Sequence, residues 1–179
     1  MKKKFILLLL ISLGFSGCEK DDICAADTPT TPQVVIEFLD IATTDSKSVT
    51  NLTIKEVGQT NPIVFNTSLA STNVLRYNVS LAKIKIPLKT DADTAKFLFK
   101  LNTGNTVLGA ENTDILEFNY TRNSVYISRA CGYKTLFALN LNSLTPTNIS
   151  ASDTFWIQSI VIVKPNILNE NETHIKIYF

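Results

Sequence analysis

From Gln33 onward the chain alternates between apolar and polar positions. Ile84 and Ile86 stand opposite Lys83 and Lys85, and Phe97, Phe99 and Leu101 stand opposite Lys96 and Lys100. Near the end, Ile175, Ile177 and Phe179 stand opposite His174, Lys176 and Tyr178. A period of two sends successive side chains to opposite faces of a pleated strand. One set of each run is therefore predicted to face a core, and the other, His174 included, to face water. Runs rich in β-branched and aromatic residues predict strands over 34–41, 49–57, 62–66, 74–79, 82–88 and 95–101. Further strands are predicted over 115–121, 124–129, 134–141, 155–163 and 173–179.

Turn residues separate these runs: Thr90 to Asp93, Asn102 to Asn105, Gly109 to Asp114, and Lys164 to Asn166. No window of twelve residues keeps the i, i+3, i+4 stripe of a helix. Many short strands with frequent turns predict an all-β fold, an antiparallel two-layer sandwich of immunoglobulin-like type, in one domain over 33–179. Trp156 and the phenylalanines are expected to fill its core.

The first residues have another pattern. Lys2, Lys3 and Lys4 precede an apolar run from Phe5 to Leu13, interrupted only by Ser12, and then come Gly14, Ser16, Gly17 and Cys18. A basic end, an apolar segment and a small-residue cleavage zone make a signal peptide over 1–17. The run is shorter than the roughly 20 residues that a spanning helix needs. Phe15-Ser16-Gly17-Cys18 resembles a lipobox, in which the cysteine after the cut carries the acyl chains, although an aliphatic residue is commoner where Phe15 stands. An ordinary secretory signal is the alternative. Glu19-Lys20-Asp21-Asp22 follows and resembles the short export signal that sends Bacteroidota lipoproteins to the cell surface, with Lys20, Asp21 and Asp22 as its core. A periplasm-facing position in the outer membrane is the alternative. Residues 18–32, with Pro29 and Pro32, read as an acylated cysteine on an extended tether.

Charge narrows the partners. The chain has 17 basic and 16 acidic residues, and loss of Lys2, Lys3 and Lys4 with the signal leaves 14 against 16, a formal charge of −2. Mixed charge of that kind builds no positive field, so nucleic acid is not an expected partner. Cys24 and Cys131 remain after Cys18, and in an oxidising compartment they are expected to form a disulfide. The rival reading makes Cys131 a nucleophile activated by Arg129 and Lys134.

Other chemistry is thinly supplied. One histidine and two further cysteines do not readily assemble a zinc site, and no phosphate-binding or dinucleotide-binding glycine pattern occurs, so no metal or cofactor is expected. Asp91 and Asp93 share a turn that offers hard oxygen ligands but lacks the rest of a calcium loop. Glu111, Asp114 and Glu117 could provide the acid and base of a glycan hydrolase. Asp93-Thr94-Ala95 is similar to the Asp-Ser/Thr-small-apolar site at which Bacteroidota O-glycosylate exported proteins, which marks Thr94.

Three segments together carry a wider resemblance: Cys18-Glu-Lys-Asp-Asp-Ile-Cys24 with Thr28-Pro-Thr-Thr-Pro32, then Ile84-Lys-Ile-Pro-Leu-Lys89, then Ser128-Arg-Ala-Cys-Gly-Tyr-Lys134. They resemble an uncharacterised Bacteroidota lipoprotein family, one of the domains of unknown function. The resemblance implies the lipoprotein address and the pairing of Cys24 with Cys131, and it brings no activity. The expected function is a non-enzymatic binding or accessory module of the outer membrane, lipid-anchored and facing the cell surface. A glycan or an outer-membrane protein is its expected partner, and exposed Tyr120, Tyr126 or Tyr133 would favour the glycan. A structural envelope component without a small ligand is the second reading, and the hydrolase the third. If Thr94 is glycosylated, the purified mature protein will weigh more than its peptide mass, and Thr94→Ala will remove the excess; a mass equal to the bare acylated peptide would refute it.

Overall fold

The computed structural model describes residues 23–107, 110–141, 144–148 and 154–179. The chain divides into two compact units, one made of Thr31–Asn123 with Thr135–Phe179, the other of Met1–Thr30 with Ser124–Lys134. The larger unit holds a two-layer β-sandwich that does not close into a barrel. Its small sheet has four strands in the order β4-β1-β11-β9: β4 Lys83–Ile86, β1 Val34–Leu39, β11 Ile175–Tyr178 and β9 Ser159–Ile162. The second sheet runs β10-β7-β6-β5-β2-β3. Its strands are β10 Asn166–Ile167, β7 Gly132–Leu139, β6 Asn112–Ser128, β5 Thr94–Leu101, β2 Leu52–Glu56 and β3 Asn78–Val79, and β8 Pro146–Asn148 pairs with β6.

The alternation does what a period of two requires. Ile84 and Ile86 of β4 are buried while Lys83 and Lys85 are exposed. Ala95, Phe97 and Phe99 of β5 point inward, as do Leu116, Phe118 and Tyr120 of β6 and Ile175 and Ile177 of β11. These inward faces merge with Val34, Ile36 and Phe38 into one cluster drawn from both sheets. Burial of each such large side chain contributes about 1.5–3 kcal/mol relative to exposure. Phe38, Trp156 and Phe179 close one part of it as a ring triad with centroids 5.6–6.4 Å apart.

The sheets are mostly antiparallel, as expected, with one parallel pair, β1 with β11, in which Ile36 lies opposite Ile175 and Leu39 opposite Tyr178. Four strand expectations need correction. Residues 62–66 do not form a strand: Ile63 N–H donates to the Ile54 carbonyl at 2.8 Å, but Pro62 has no N–H to extend that pairing, and the Phe65 and Asn66 N–H groups both turn to the one Arg76 carbonyl at 3.0 Å. Residues 74–76 turn into a single 3-10 helix because the Asn73 side chain accepts the Leu75 N–H, a local bond that competes with strand pairing. Residues 115–121 and 124–128 belong to one continuous strand, which Arg129 leaves for the turn, since none of Thr121, Arg122 and Asn123 adopts positive φ. Residues 155–158 leave the strand predicted over 155–163. There Trp156 Nε1 donates to the Phe99 carbonyl at 3.0 Å and the Ile157 N–H to Asp114 Oδ2 at 2.8 Å.

His174 is also misplaced by the period of two, being fully buried. It stands one residue before β11, where the backbone has not yet entered the alternation. Its N–H donates to the Val35 carbonyl at 3.0 Å, and its Nδ1 accepts the Val35 N–H at 2.9 Å. The ring thus supplies the acceptor that the parallel ladder would otherwise lack at Val35. Nε2 is buried without a hydrogen-bond partner among the described residues. Burial lowers the pKa of His174, against the opposing pull of Glu172 and Glu170.

Because the native pKa is lowered, the unfolded chain takes up the proton more readily. The contribution of His174 is therefore complete above the unfolded value of about 6.5 and is lost as pH falls through that value toward the native one. Urea denaturation should show a less stable protein at pH 5 than at pH 7.5. His174→Asn, which retains an acceptor, should flatten that difference. His174→Phe should cost about 1–3 kcal/mol at neutral pH by leaving the Val35 N–H unpaired. Equal pH profiles for the parent and His174→Asn would refute this account.

Candidate functional site

In the smaller unit, chemistry and exposure meet at the turn between β6 and β7. Cys131 is bonded to Cys24, with a Cα–Cα distance of 4.9 Å and 107 positions between them in the chain. Ser128 Oγ accepts the Cys131 N–H at 3.1 Å, and Gly132, with φ of 68°, takes the left-handed conformation that starts β7. The Thr28 hydroxyl lies 3.7 Å from Cys131 Sγ, and the Thr28 N–H donates to the Ala25 carbonyl at 3.0 Å. The tether is thus folded back on itself beside the disulfide. A bonded Cys131 offers no thiolate, so the nucleophile reading is overturned.

Tyr126 on β6 and Tyr133 on β7 face each other across this hairpin, with ring centroids 5.3 Å apart and planes inclined by 65°. They are 57% and 69% exposed, so most of both rings is presented to solvent. Arg129 is exposed at the turn and Lys134 is partly exposed. Tyr120 does not join them. It is buried in the core against Phe137, and its hydroxyl donates to the Lys89 carbonyl at 3.1 Å. Burial raises its pKa.

The carboxylates anticipated as an acid–base pair are separated by the pleat. Asp114 is fully buried on the inward face of β6 and holds the Ile157 N–H. Glu117, an odd number of residues further on, points to the opposite face and pairs with Lys96 at 2.7 Å. Glu111 pairs with Lys100 at 2.6 Å and accepts the Gly104 N–H, and these two bonds hold its carboxyl below the usual range. Asp93 is engaged by Arg122 Nε at 2.6 Å, while the same guanidinium donates to the Thr90 carbonyl. Among the described residues, no three His, Cys, Asp or Glu side chains stand together as a metal site.

The outer face of the larger sheet carries a shallow depression of about 400 Å³, lined by Thr53, Lys55, Leu98, Lys100 and Thr113 with Pro62 at its edge. Hydroxyls and ammonium groups on a flat strand surface can hydrogen-bond a polar ligand, but they provide neither a stacking ring nor an enclosed cavity. Thr94 is exposed at the start of β5, its hydroxyl 3.5 Å from Glu117 Oε1. Cys18, Lys20, Asp21 and Asp22, with the signal peptide, lie outside the described residues. The paired tyrosines were legible only as exposed candidates; their apposition depends on the register across the hairpin.

The family model of DUF6452, a family of unknown function, matches residues 51–179, and the chain belongs to that family. The matched range includes the Ile84–Lys89 and Ser128–Lys134 segments, while Cys18–Cys24 and Thr28–Pro32 precede it. No curated protein and no solved structure matches the chain.

Cross-linking two positions so far apart restricts the unfolded chain, and the chain-entropy model gives about 4–5 kcal/mol for a loop of this length. The double variant Cys24→Ser with Cys131→Ser should therefore lose up to that amount in denaturant titrations. Conversely, the unreduced wild-type protein should bind a thiol reagent at neither position. Full labelling of Cys131 in the denatured, unreduced protein would refute the bond.

Proposed function

We propose that this DUF6452 protein is an exported lipoprotein, cut before Cys18, acylated there, and held at the outer membrane with its folded part facing the cell surface. It acts as a non-enzymatic binding or accessory module, with a glycan or an outer-membrane protein as partner. The Cys24–Cys131 disulfide is the observation that supports this reading most directly. Such bonds persist in exported proteins and are rare in the cytosol. Cys24 also stands six residues after Cys18, so the bond falls within the tether, near the end that would carry the acyl chains.

The non-enzymatic part of the reading draws on how the reactive side chains are used. Cys131 is consumed in the disulfide, Asp114 holds the Ile157 backbone, and His174 holds the Val35 backbone. Cys131 therefore has no free thiol, and Asp114 and His174 are both fully buried in the framework. Thr94 as a glycosylated residue, and Lys20, Asp21 and Asp22 as the surface address, belong to the same proposal, as does an origin in Bacteroidota.

Acylation supplies about 0.8 kcal/mol per buried methylene, so several chains make a durable anchor. In cells, Cys18→Ala should move the protein from the membrane fraction to the soluble fraction; retention in the membrane would overturn the anchor. Protease treatment of intact cells should degrade the wild-type domain, whereas full protection would place it on the periplasmic side.

A further inference from the structure

We propose that the disulfide-closed β6–β7 hairpin makes a second membrane contact, resting Tyr126 and Tyr133 in the headgroup layer of the bilayer in which Cys18 is anchored. The proposal rests on the lipoprotein reading and adds to it a contact made by the folded chain itself.

The argument begins with chain length. Cys24 follows Cys18 by six residues, a span of about 20 Å at full stretch. For a flexible segment, the mean separation is nearer 12–15 Å. The disulfide then places the Cα of Cys131 within 4.9 Å of that of Cys24. Tyr133 is two residues from Cys131, and Tyr126 packs against it at 5.3 Å. A position that is more than a hundred residues from the anchor along the chain is thereby held within a few tens of ångströms of it. Thr31 also accepts the Thr135 N–H on its hydroxyl at 2.9 Å, but it stands thirteen residues from Cys18, so the disulfide sets the shorter reach.

The side chains presented at that distance suit a lipid surface. Tyrosine combines an apolar ring with a polar tip, and it is enriched at the level of lipid headgroups for that reason. Both rings are mostly exposed here and pack against each other. Ile23, 80% exposed, stands beside the bonded Cys24. Arg129 and Lys134 add two positive charges on the hairpin, against one from Asp27 on the tether side, so the described part of this unit carries a net positive charge. Basic residues near an anionic leaflet are attracted by about 1 kcal/mol each. Glu19, Asp21 and Asp22 oppose this, which leaves the rings as the main contribution. Two tyrosines would bind a membrane weakly from solution. Tethering raises their effective concentration at the surface to the millimolar range, where a weak preference is enough.

The test uses the mature chain with its disulfide intact, so that Cys18 is the only free thiol. That thiol is coupled to a maleimide lipid in phosphatidylcholine–phosphatidylglycerol vesicles brominated near the top of the acyl chains. Trp156 lies in the core and gives a constant background that the parent protein measures. In Tyr133→Trp, the added indole should lose about half of its emission to the bromines, as expected of a ring at the interface. Tyr126→Trp should behave alike, and Cys24→Ser with Cys131→Ser should abolish the loss in both. Emission from both added indoles that is the same with and without brominated lipid would overturn the proposal. Chemical coupling replaces acylation in this experiment, so its failure would leave the Cys18→Ala fractionation result untouched.

Discussion

The small sheet depends on one pairing, that of the first strand with the last. β1 lies between β4 and β11, and Val34, Val35, Ile36 and Phe38 are all but fully buried. A strand covered on both faces cannot find its partners in a local hairpin; it needs β11, some 139 residues further along the chain. Closing so long a separation costs chain entropy before any contact is made. The return is collective. Once Ile36 meets Ile175 and Phe38 meets Ile177, both inward faces of the small sheet are presented together to the larger one. The parallel direction of this pair follows from where the two strands must lie, not from any preference within either.

Burial at that junction creates polar obligations, and the chain meets them with side chains rather than with more sheet. His174 accepts from Val35 where the ladder stops. Glu170 accepts the Gln33 N–H at 2.9 Å and pairs with Lys85 at 2.8 Å; although burial alone would raise its pKa, these contacts keep its carboxyl below the usual range. At the other layer, Asp114 and the Phe99 carbonyl secure Ile157 and Trp156, which lets an irregular segment enter the core. An unpaired buried donor costs about 1–3 kcal/mol, so each of these groups is worth more through the penalty that it averts than through the bond that it makes. This is also why residues that look reactive in the sequence prove to be structural.

The smaller unit follows a different logic. None of its described side chains is fully buried, and a disulfide links its two described segments. Tyr126 and Tyr133 stay mostly in solvent and pack against each other. Exposure of two aromatic rings is a cost in water and an advantage beside a lipid surface. The paired rings of this hairpin and the shallow polar depression on the outer face of the larger sheet are the two candidate surfaces.

The sequence alone determined the class and the inward faces. Alternation at Lys83 to Ile86, at Thr94 to Leu101 and at Ile175 to Tyr178 is a local property of each strand, and it predicted which side chains are buried. The bond between Cys24 and Cys131 was also legible, from the number of cysteines and the expectation of an oxidising compartment. Tertiary structure decided what depends on distant neighbours: the parallel register of β1 with β11, the burial of His174 and Tyr120, the opposite faces of Asp114 and Glu117, and the apposition of Tyr126 with Tyr133. Period-two patterning fixes a side chain's face only while the strand lasts, and at His174 the strand has not begun. Beyond the ends of a strand, a residue's environment is set by whatever the fold brings against it.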